Sequence, residues 1–90
     1  MQFEWDAKAA SNLAKHDVDF DEALRVFLDP RRLVAEDERR DYGEPWLRVL
    51  GVVDHRILLV VYTWRGGFCR LISAGKANAR ERRRYHAGDP

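Results

Sequence analysis

Three arginines and one glutamate form the group of residues in this sequence that is best suited to chemistry. Glu44 and Arg48 stand close together, and Arg65 and Arg70 follow at a similar spacing. An arginine presents a planar fork of N–H donors that matches the oxygens of a phosphate, so several arginines on one surface can form a phosphate site. The glutamate adds a group that can carry a proton. Whether these side chains meet depends on how the intervening chain folds.

Two short turns between apolar runs predict that fold. Asp54-His55 and Gly66-Gly67 each separate runs rich in β-branched and aromatic residues, and Gly-Gly suits a two-residue hairpin turn that needs positive φ. The pattern therefore predicts three consecutive antiparallel strands, over residues 45–53, 56–65 and 68–73. The middle strand is almost wholly apolar, which is typical of a central strand.

Two-residue turns fix which residues oppose each other, and opposed residues share one face of a sheet. The turns place Glu44 opposite Arg65, and they place Val61 opposite Ile72. One end of the resulting face is charged and carries Glu44, Trp46, Arg48, Thr63, Arg65, Phe68 and Arg70. The other end of that face is apolar and carries Leu50, Val52, Leu59 and Ile72.

The opposite face of these strands is apolar and is expected to be buried. It carries Leu47, Val49, Val53, Leu58, Val60, Tyr62, Trp64, Cys69 and Leu71. Cys69 is therefore interpreted as a small buried hydrophobe and not as a nucleophile. Because it is the single cysteine, an internal disulfide and a multi-cysteine zinc site are excluded.

The N-terminal half predicts helices that cover the apolar face. Alternation over residues 1–5 indicates a short strand at a sheet edge. Apolar stripes indicate helices over residues 7–15 and 20–28. Asp19 and Glu22 have the spacing of a capping box at the start of the second helix.

The remaining elements complete an α+β fold, in which two N-terminal helices pack on an antiparallel sheet of about four strands and a C-terminal helix follows. A further strand is expected over residues 31–36, and an exposed, charged connection over residues 36–43. The last helix is expected from Ala74 to about His86, with Ser73 as its N-cap. Ninety residues are expected to form a single domain, residues 1–90.

Charge is distributed unevenly along the chain. Residues 1–64 hold 9 Lys and Arg against 13 Asp and Glu, whereas residues 65–90 hold 7 against 2. The basic C-terminal part suggests a polyanion or an acidic partner, with a solvated basic helix as the alternative. No apolar run is long enough to span a bilayer and no signal-peptide segment is present, so a cytoplasmic location without membrane contact is expected.

The charged end of the sheet suits RNA chemistry. Trp46 and Phe68 could stack on a nucleobase beside the arginines. RNA can be cleaved without a metal or cofactor when its own 2′-hydroxyl is the nucleophile, because the protein then only aligns the attack, moves protons and neutralises charge. Two interpretations stay open beside it: a solvated face on which Glu44 and Arg65 form an ordinary ion pair, and a protein-binding face.

The histidines add little to this site. His55 lies in a turn and His86 near the chain end, which is typical of surface residues. His16 follows Lys15 where the two helices meet, and contact with a helix C-terminal dipole is favoured over a role as catalytic base.

Many residues match a known pattern, in order and over nearly the whole chain. The opening has Phe3-Glu4-Trp5-Asp6, Lys8, Asn12, Lys15-His16, Val18, Phe20, Ala23, Val26-Phe27 and Asp29. The middle has Glu44, Arg48 and Gly51, and the ending has Arg70-Leu71-Ile72-Ser73-Ala74, Lys76-Ala77, Arg80-Glu81-Arg82 and Tyr85. In these positions the sequence resembles the BrnT family of toxins.

The resemblance implies a RelE-like ribonuclease fold and the toxin half of a bacterial type II toxin–antitoxin pair. It implies RNA cleavage that inhibits translation. It also implies a BrnA-like antitoxin, which neutralises the toxin in a hetero-oligomer that binds operator DNA through the antitoxin. The alternative is a non-catalytic module that binds protein or nucleic acid.

Within this interpretation each candidate residue has an expected role. The arginines are expected to bind the scissile phosphate, Lys76 to assist them or donate a proton, and Glu44 to orient an arginine or serve as general base. The expected catalytic residues of a metal-independent endoribonuclease are Glu44, Arg48, Arg65, Arg70, Lys76 and Arg80. The expected RNA-binding residues are Trp46, Phe68, Arg83, Lys15 and His16. Lys76 is expected to begin the last helix beside the arginines, and no metal ligand or cofactor is expected.

The sequence departs from the BrnT-family pattern at two positions. Gly75 stands where the family usually has a basic residue, so one phosphate contact is expected to be missing. Asp17 replaces the glycine that is usual after Lys-His, which is expected to alter that helix junction. Neither departure changes the expected fold.

Overall fold

The computed structural model describes residues 2–6, 10, 17–38 and 43–89. In this part of the chain the class is α+β, as predicted. The elements in chain order are β1 (Gln2–Glu4), α1 (Phe20–Arg25), β2 (Leu33–Glu36), β3 (Leu47–Val53), β4 (Arg56–Arg65), β5 (Phe68–Lys76) and α2 (Ala79–Ala87). A 3₁₀ turn, Val26–Leu28, follows α1 directly. The predicted helix over residues 7–15 lies outside the described residues except for Ala10.

The five strands form one sheet in the order β1-β5-β4-β3-β2. The pairs among β2, β3, β4 and β5 are antiparallel, whereas β1 runs parallel to β5. The prediction of an antiparallel sheet of about four strands is wrong in these two details. Because β1 and β5 are separated by most of the chain, no local pattern specifies that they pair or in which direction. The edge position of β1 is confirmed.

Both predicted turns are confirmed. Asp54-His55 has φ values of 49° and 70°, and Gly66-Gly67 has φ values of 55° and 86°. Such left-handed values at both central residues give a turn whose twist matches the strands that it joins. Next to the second turn, Arg65 lies opposite Phe68 as predicted.

The predicted register is wrong halfway along β5. Val61 pairs with Ser73 and not with Ile72, because Ile72 is an extra residue in a β-bulge. The extra residue shifts the alternation of side chains by one. Ala74 therefore lies in the buried core cluster with 3% of its surface exposed.

The last helix begins later than predicted. β5 continues to Lys76, whose backbone still pairs with β4, so Ala74 belongs to the strand. Asn78, and not Ser73, is the N-cap, and it forms a capping box with Glu81 through two hydrogen bonds of 2.8 Å. The predicted helix start is wrong because sheet pairing and this stronger cap outweigh the helix propensity of alanine.

The two faces of the sheet bury different elements. The core face packs against α1 and the 3₁₀ turn, and its buried cluster contains Val18, Ala23, Val26, Val49, Val53, Leu58, Val60, Tyr62, Cys69, Leu71 and Ala74. Cys69 is fully buried as predicted, and burial raises the pKa of its thiol to about 11. The opposite face is called the charged face below. At one end of it, Leu50 packs with Tyr85 of α2 and with Ala77, which precedes α2.

β3 touches the 3₁₀ turn at Gly51. A Cβ at this position would lie 2.8 Å from Cγ1 and 2.9 Å from the carbonyl oxygen of Val26. Real Cβ atoms do not approach other atoms so closely, and the carbonyl is fixed by the backbone. The absence of a side chain therefore allows the turn to lie directly on the sheet.

Asp29 ties the end of this turn to two other elements. Its buried carboxylate accepts hydrogen bonds from the N–H of Val52 at 2.8 Å, from the N–H of Arg31 at 2.8 Å and from the hydroxyl of Tyr85 at 2.5 Å. Burial favours a higher pKa for Asp29, but these bonds outweigh it and hold the pKa below its ordinary value. Burial of Tyr85 and its hydrogen bond to Asp29 raise the pKa of the Tyr85 hydroxyl. Asp29 thus fixes α2 to β3.

Among the described residues, no helix is long and apolar enough to cross a membrane.

Candidate functional site

One end of the charged face brings together the three arginines that were predicted to share it. Arg48 lies on β3 opposite Val61, whereas Arg65 and Arg70 lie on β4 and β5 beside the Gly-Gly turn. The observed register places all three on the same face of the sheet. This region is called the arginine end below and comprises Glu4, Asp6, Glu44, Arg48, Arg65 and Arg70.

Glu44 holds Arg65 in a two-pronged ion pair. Nη2 of Arg65 lies 2.5 Å from Oε1 of Glu44, and Nε lies 3.1 Å from Oε2. The indole N–H of Trp46 donates to Oε1 at 3.3 Å. The hydrogen bond from Arg65, aided by that from Trp46, holds the pKa of Glu44 below its ordinary value, and the pKa of Arg65 is raised. Glu44 is therefore a weaker base than a free glutamate.

Two carboxylates hold Arg70. Its Nη1 lies 3.2 Å from Oε1 of Glu4, and its Nη2 lies 2.8 Å from Oδ2 of Asp6. The parallel pairing of β1 with β5 brings Glu4 beside Arg70. The sequence reasoning missed both acids. The alternation within β1 was a usable signal, because Phe3 packs against the core and its neighbour Glu4 must then face the other side.

Arg48 differs from the other two arginines. It is half-buried, and no described residue forms a hydrogen bond or ion pair with its guanidinium group. The arginine end thus contains one available arginine and two that carboxylates hold in place.

The two predicted stacking residues are in different situations. Phe68 lies opposite Arg65 with 39% of its surface exposed. Trp46 is half-buried and precedes β3, which begins at Leu47 and not at the predicted Pro45. Ahead of β3, the carbonyl of Pro45 accepts a hydrogen bond of 2.6 Å from the hydroxyl of Thr63. Phe68 is therefore the better-placed ring.

Lys76 lies at the opposite end of β5 from the arginines. Arg70 pairs with Thr63 and Lys76 pairs with Leu58. Five residues along β4 correspond to about 17 Å between these two positions. The prediction that Lys76 begins the last helix beside the arginines is wrong, because β5 continues past the predicted helix start.

The other predicted residues also lie away from the arginine end or outside the described chain. Arg80 and Arg83 are exposed on α2, which packs at the end of the sheet where Lys76 lies. Lys15 and His16 lie outside the described residues. The six predicted catalytic residues therefore divide into the four at the arginine end and the two near α2.

A second basic region surrounds a cavity of about 560 Å³ beside the Asp54-His55 turn. The turn, the end of β5 and α2 enclose it, and it is called the hairpin end below. Its cationic and imidazole lining residues are Arg31, His55, Arg56, Lys76, Arg82 and His86. His55 and His86 are exposed, as predicted, but the sequence did not reveal that both line a cavity, because the packing of α2 near the turn is not a local property. The spacing of Arg82 and His86, which places them on one helix face, was a partial signal.

A comparison with protein families matches most of the chain. The model described as "Ribonuclease toxin, BrnT, of type II toxin-antitoxin system" covers residues 5–81. The chain belongs to the BrnT family. The resemblance seen in the sequence is thereby confirmed. No match was found among curated proteins.

Membership of the BrnT family identifies the chain as a ribonuclease toxin of a type II toxin–antitoxin system, with an RNA substrate and an antitoxin partner. The matched residues include Arg48, Arg65 and Arg70. They end before Arg82 and His86, so the hairpin end lies only partly within the match.

Proposed function

We propose that this BrnT-family toxin is a metal-independent endoribonuclease that cleaves RNA at the arginine end. The observation that supports the proposal is the placement of Arg48, Arg65 and Arg70 on one face of one sheet. Three guanidinium groups can neutralise the charge that grows on the phosphate oxygens in the transition state. Fixed donors are most effective in this role, and two of the three arginines are fixed by carboxylates.

The proposed reaction uses a nucleophile that the RNA itself supplies. The 2′-oxygen of one nucleotide forms a bond to the adjacent phosphorus, and the bond from phosphorus to the 5′-oxygen of the next nucleotide breaks. The 2′-hydroxyl gives its proton to a base, and the leaving 5′-oxygen takes up a proton. The products are a 2′,3′-cyclic phosphate and a 5′-hydroxyl end. Alignment, charge neutralisation and proton movement are thus the tasks of the protein.

The contacts of each residue support a particular role. Arg48 is proposed to bind the scissile phosphate directly, since no described residue pairs with it. Arg65 and Arg70 are proposed to join it with little loss of side-chain entropy, because ion pairs already order them. Glu44 is proposed to orient Arg65, and its lowered pKa argues against a role as general base. Phe68 is proposed to stack on a base next to the cut.

The positions near α2 are proposed to contact RNA away from the cut. Arg80 was expected to bind the scissile phosphate and Lys76 to assist beside it, but the separation of about 17 Å between the Lys76 and Arg70 positions favours contact with another nucleotide. Arg83 is exposed on the same helix and is proposed to act in the same way. Lys15 and His16 remain predicted RNA-binding residues.

The partner and the setting follow from the family. We infer a RelE-like domain that acts in the cytoplasm by inhibiting translation. The antitoxin is proposed to be BrnA-like and to bind operator DNA on behalf of the complex. Adding a purified BrnA-like antitoxin that binds the toxin should stop RNA cleavage, and continued cleavage in the bound complex would contradict this assignment.

The decisive experiment is RNA cleavage in EDTA. Wild-type protein should yield defined fragments from total RNA, whereas Arg48→Ala and Arg70→Ala should leave RNA intact and retain the wild-type circular-dichroism spectrum. Arg25→Ala is the matched control. It removes one arginine from α1, which packs on the core face, and breaks ion pairs with Asp21 and Asp54 at the protein surface, where such pairs contribute little to stability.

The outcomes separate the enzyme from the rival function. Intact RNA with folded wild-type protein would support the non-catalytic binding module. Full cleavage by both arginine variants would show that the arginine end is not the catalytic site.

A further inference from the structure

The cavity at the hairpin end has the size of a small-ligand site. Its volume of about 560 Å³ lies within the range of about 300–1,000 Å³ that is usual for such sites. Apolar groups of Val52, Ile57, Ala77 and Tyr85 form part of its wall. The cavity therefore offers space for more than a single small ion.

The charges around this cavity are mostly of one sign. Arg56 forms an ion pair with Glu22, and Arg82 donates to the carbonyl of Ala77 at 2.8 Å. Arg31 and Lys76 are exposed, and neither forms a salt bridge with a described residue, although the charge of Arg31 helps to lower the pKa of the buried Asp29. Among the described residues that line the cavity, none is acidic. Two cations are thus available to bind an anion from outside the protein.

The rings at the cavity add a second kind of contact. The ring of Tyr85 is buried, and the exposed imidazole of His86 lies edge-on to it with centroids 5.7 Å apart. An exposed imidazole face can stack on a nucleobase. A carboxylate of an acidic peptide would use the cations but would leave the apolar wall and the ring without a partner. A phosphate ester that carries a flat base would use all three.

We propose that the cavity at the hairpin end binds one phosphorylated nucleotide of the RNA strand. Arg31 and Lys76 bind its phosphate, and its base lies against His86 and the apolar wall. This inference deepens the proposed function and rests on it for the identity of the strand. The nucleotide bound here is remote from the cut, since Lys76 is about 17 Å from Arg70 along the sheet.

Calorimetric titration with adenosine 5′-monophosphate tests the proposal. The double variant Arg31→Gln/Lys76→Gln should bind this nucleotide at least tenfold more weakly than wild type. The control Arg84→Gln removes the same kind of charge from α2 outside the cavity lining and should bind as wild type does. Equal affinity of the double variant and wild type would overturn the proposal.

Three further ligands identify the occupant. Adenosine should bind at least tenfold more weakly than its monophosphate, because it lacks the phosphate. Inorganic phosphate should also bind at least tenfold more weakly, because it lacks the base, and equal binding of phosphate would overturn the assignment of a nucleotide. A poly-glutamate peptide that binds more tightly than the monophosphate would show that the cavity holds an acidic protein segment instead.

A last variant separates this proposal from the cleavage site. Arg48→Ala should retain wild-type affinity for adenosine 5′-monophosphate even though it has lost cleavage. If the nucleotide binds and wild-type protein cleaves no RNA, the proposed function fails and the binding site stands. If cleavage occurs and the double variant binds the nucleotide normally, the binding site fails and the proposed function stands.

Discussion

The arginine end and the hairpin end contain similar numbers of basic residues but differ in how those residues are used. At the arginine end, three arginines lie among three carboxylates, and two of the arginines are ion-paired. At the hairpin end, four basic side chains line a cavity, and among the described contacts only Arg56 is ion-paired to a carboxylate. The ion pairs at the arginine end fix the direction of its N–H donors. At the hairpin end most of the positive charges are not neutralised, so the cavity has a positive potential. A count of basic residues in the sequence does not distinguish them.

This difference suggests a division of labour. A net positive region attracts a polyanion over a distance of about one Debye length, roughly 8–10 Å at moderate salt. Fixed donors contribute most at short range, where they stabilise charge as it develops. The hairpin end is therefore suited to capture of the RNA strand and the arginine end to the chemical step.

The largest expected effect is the loss of cleavage at the arginine end. Arg70→Ala should lower kcat by about 10²–10³-fold, the usual cost of removing one transition-state donor. Lys76→Ala should lower kcat less than tenfold, because Lys76 is remote from the cut. Single-turnover cleavage of a defined oligonucleotide measures both values.

Equal effects of Arg70→Ala and Lys76→Ala on kcat would contradict the proposed difference between the two ends. An equal loss of kcat in Lys76→Ala would place the reacting phosphate near the hairpin end. The circular-dichroism spectra of both variants serve as the control for folding.

A smaller effect is expected from the link that holds α2 on the sheet. Asp29→Asn should lower the free energy of unfolding by about 1–3 kcal/mol, because a buried carboxylate with three hydrogen bonds is replaced by a neutral amide. Tyr85→Phe should cost about 1 kcal/mol for the hydrogen bond that it removes. Urea unfolding measures both. Because α2 forms a wall of the hairpin end and not of the arginine end, nucleotide binding should weaken while cleavage of a dinucleotide is retained.

The pH dependence of these variants has a defined sign. Folding lowers the pKa of Asp29. Its contribution to the free energy of unfolding is therefore complete above its ordinary pKa of 3.8 and is lost as pH falls through the lower folded value. The pKa of Tyr85 is raised, so its contribution is complete below 10.0 and is lost as pH rises through the higher folded value. Asp29→Asn should therefore flatten the acid limb of stability and Tyr85→Phe the alkaline limb. Unchanged limbs would show that other groups control them.

The smallest effect is expected from changing the charge balance directly. Glu4→Gln should raise RNA affinity a few-fold and steepen the slope of log K against log[salt] by about one, since Arg70 loses one competing carboxylate. Lys76→Gln should reduce the slope by about one. Binding of a non-cleavable 2′-deoxy oligonucleotide at several salt concentrations measures both slopes. A reduced slope in Glu4→Gln would contradict the view that this acid competes with RNA.

Much of the sheet could be predicted because its determinants are local. The turn residues Asp54-His55 and Gly66-Gly67 select a hairpin geometry, and that geometry fixes the register beside each turn. The bulge at Ile72 could not be predicted in this way, because no residue type specifies it and core packing decides which face Ala74 takes. The cap at Asn78 had a visible signal in Glu81, but the alanine-containing stretch before it favoured an earlier helix start.

The site could be predicted only in part for the same reason. Arg48, Arg65 and Arg70 share a face because consecutive hairpins determine it. Glu4 and Asp6 reach Arg70 through a pairing between opposite ends of the chain, which local patterns do not reveal. The hairpin end depends on the docking of α2, and that docking rests on Asp29, which the sequence indicates only as a helix end.

The contact at Gly51 has a consequence for any attempt to move features between BrnT-family toxins. The 3₁₀ turn lies on the sheet only while position 51 lacks a Cβ, and Asp29 follows that turn immediately. A relative with a bulkier residue there must hold the turn farther out, which carries the carboxylate away from the Val52 amide and releases the C-terminal helix. Grafting the proposed nucleotide cavity onto such a relative would therefore require that glycine to be transferred with it, although the glycine does not line the cavity.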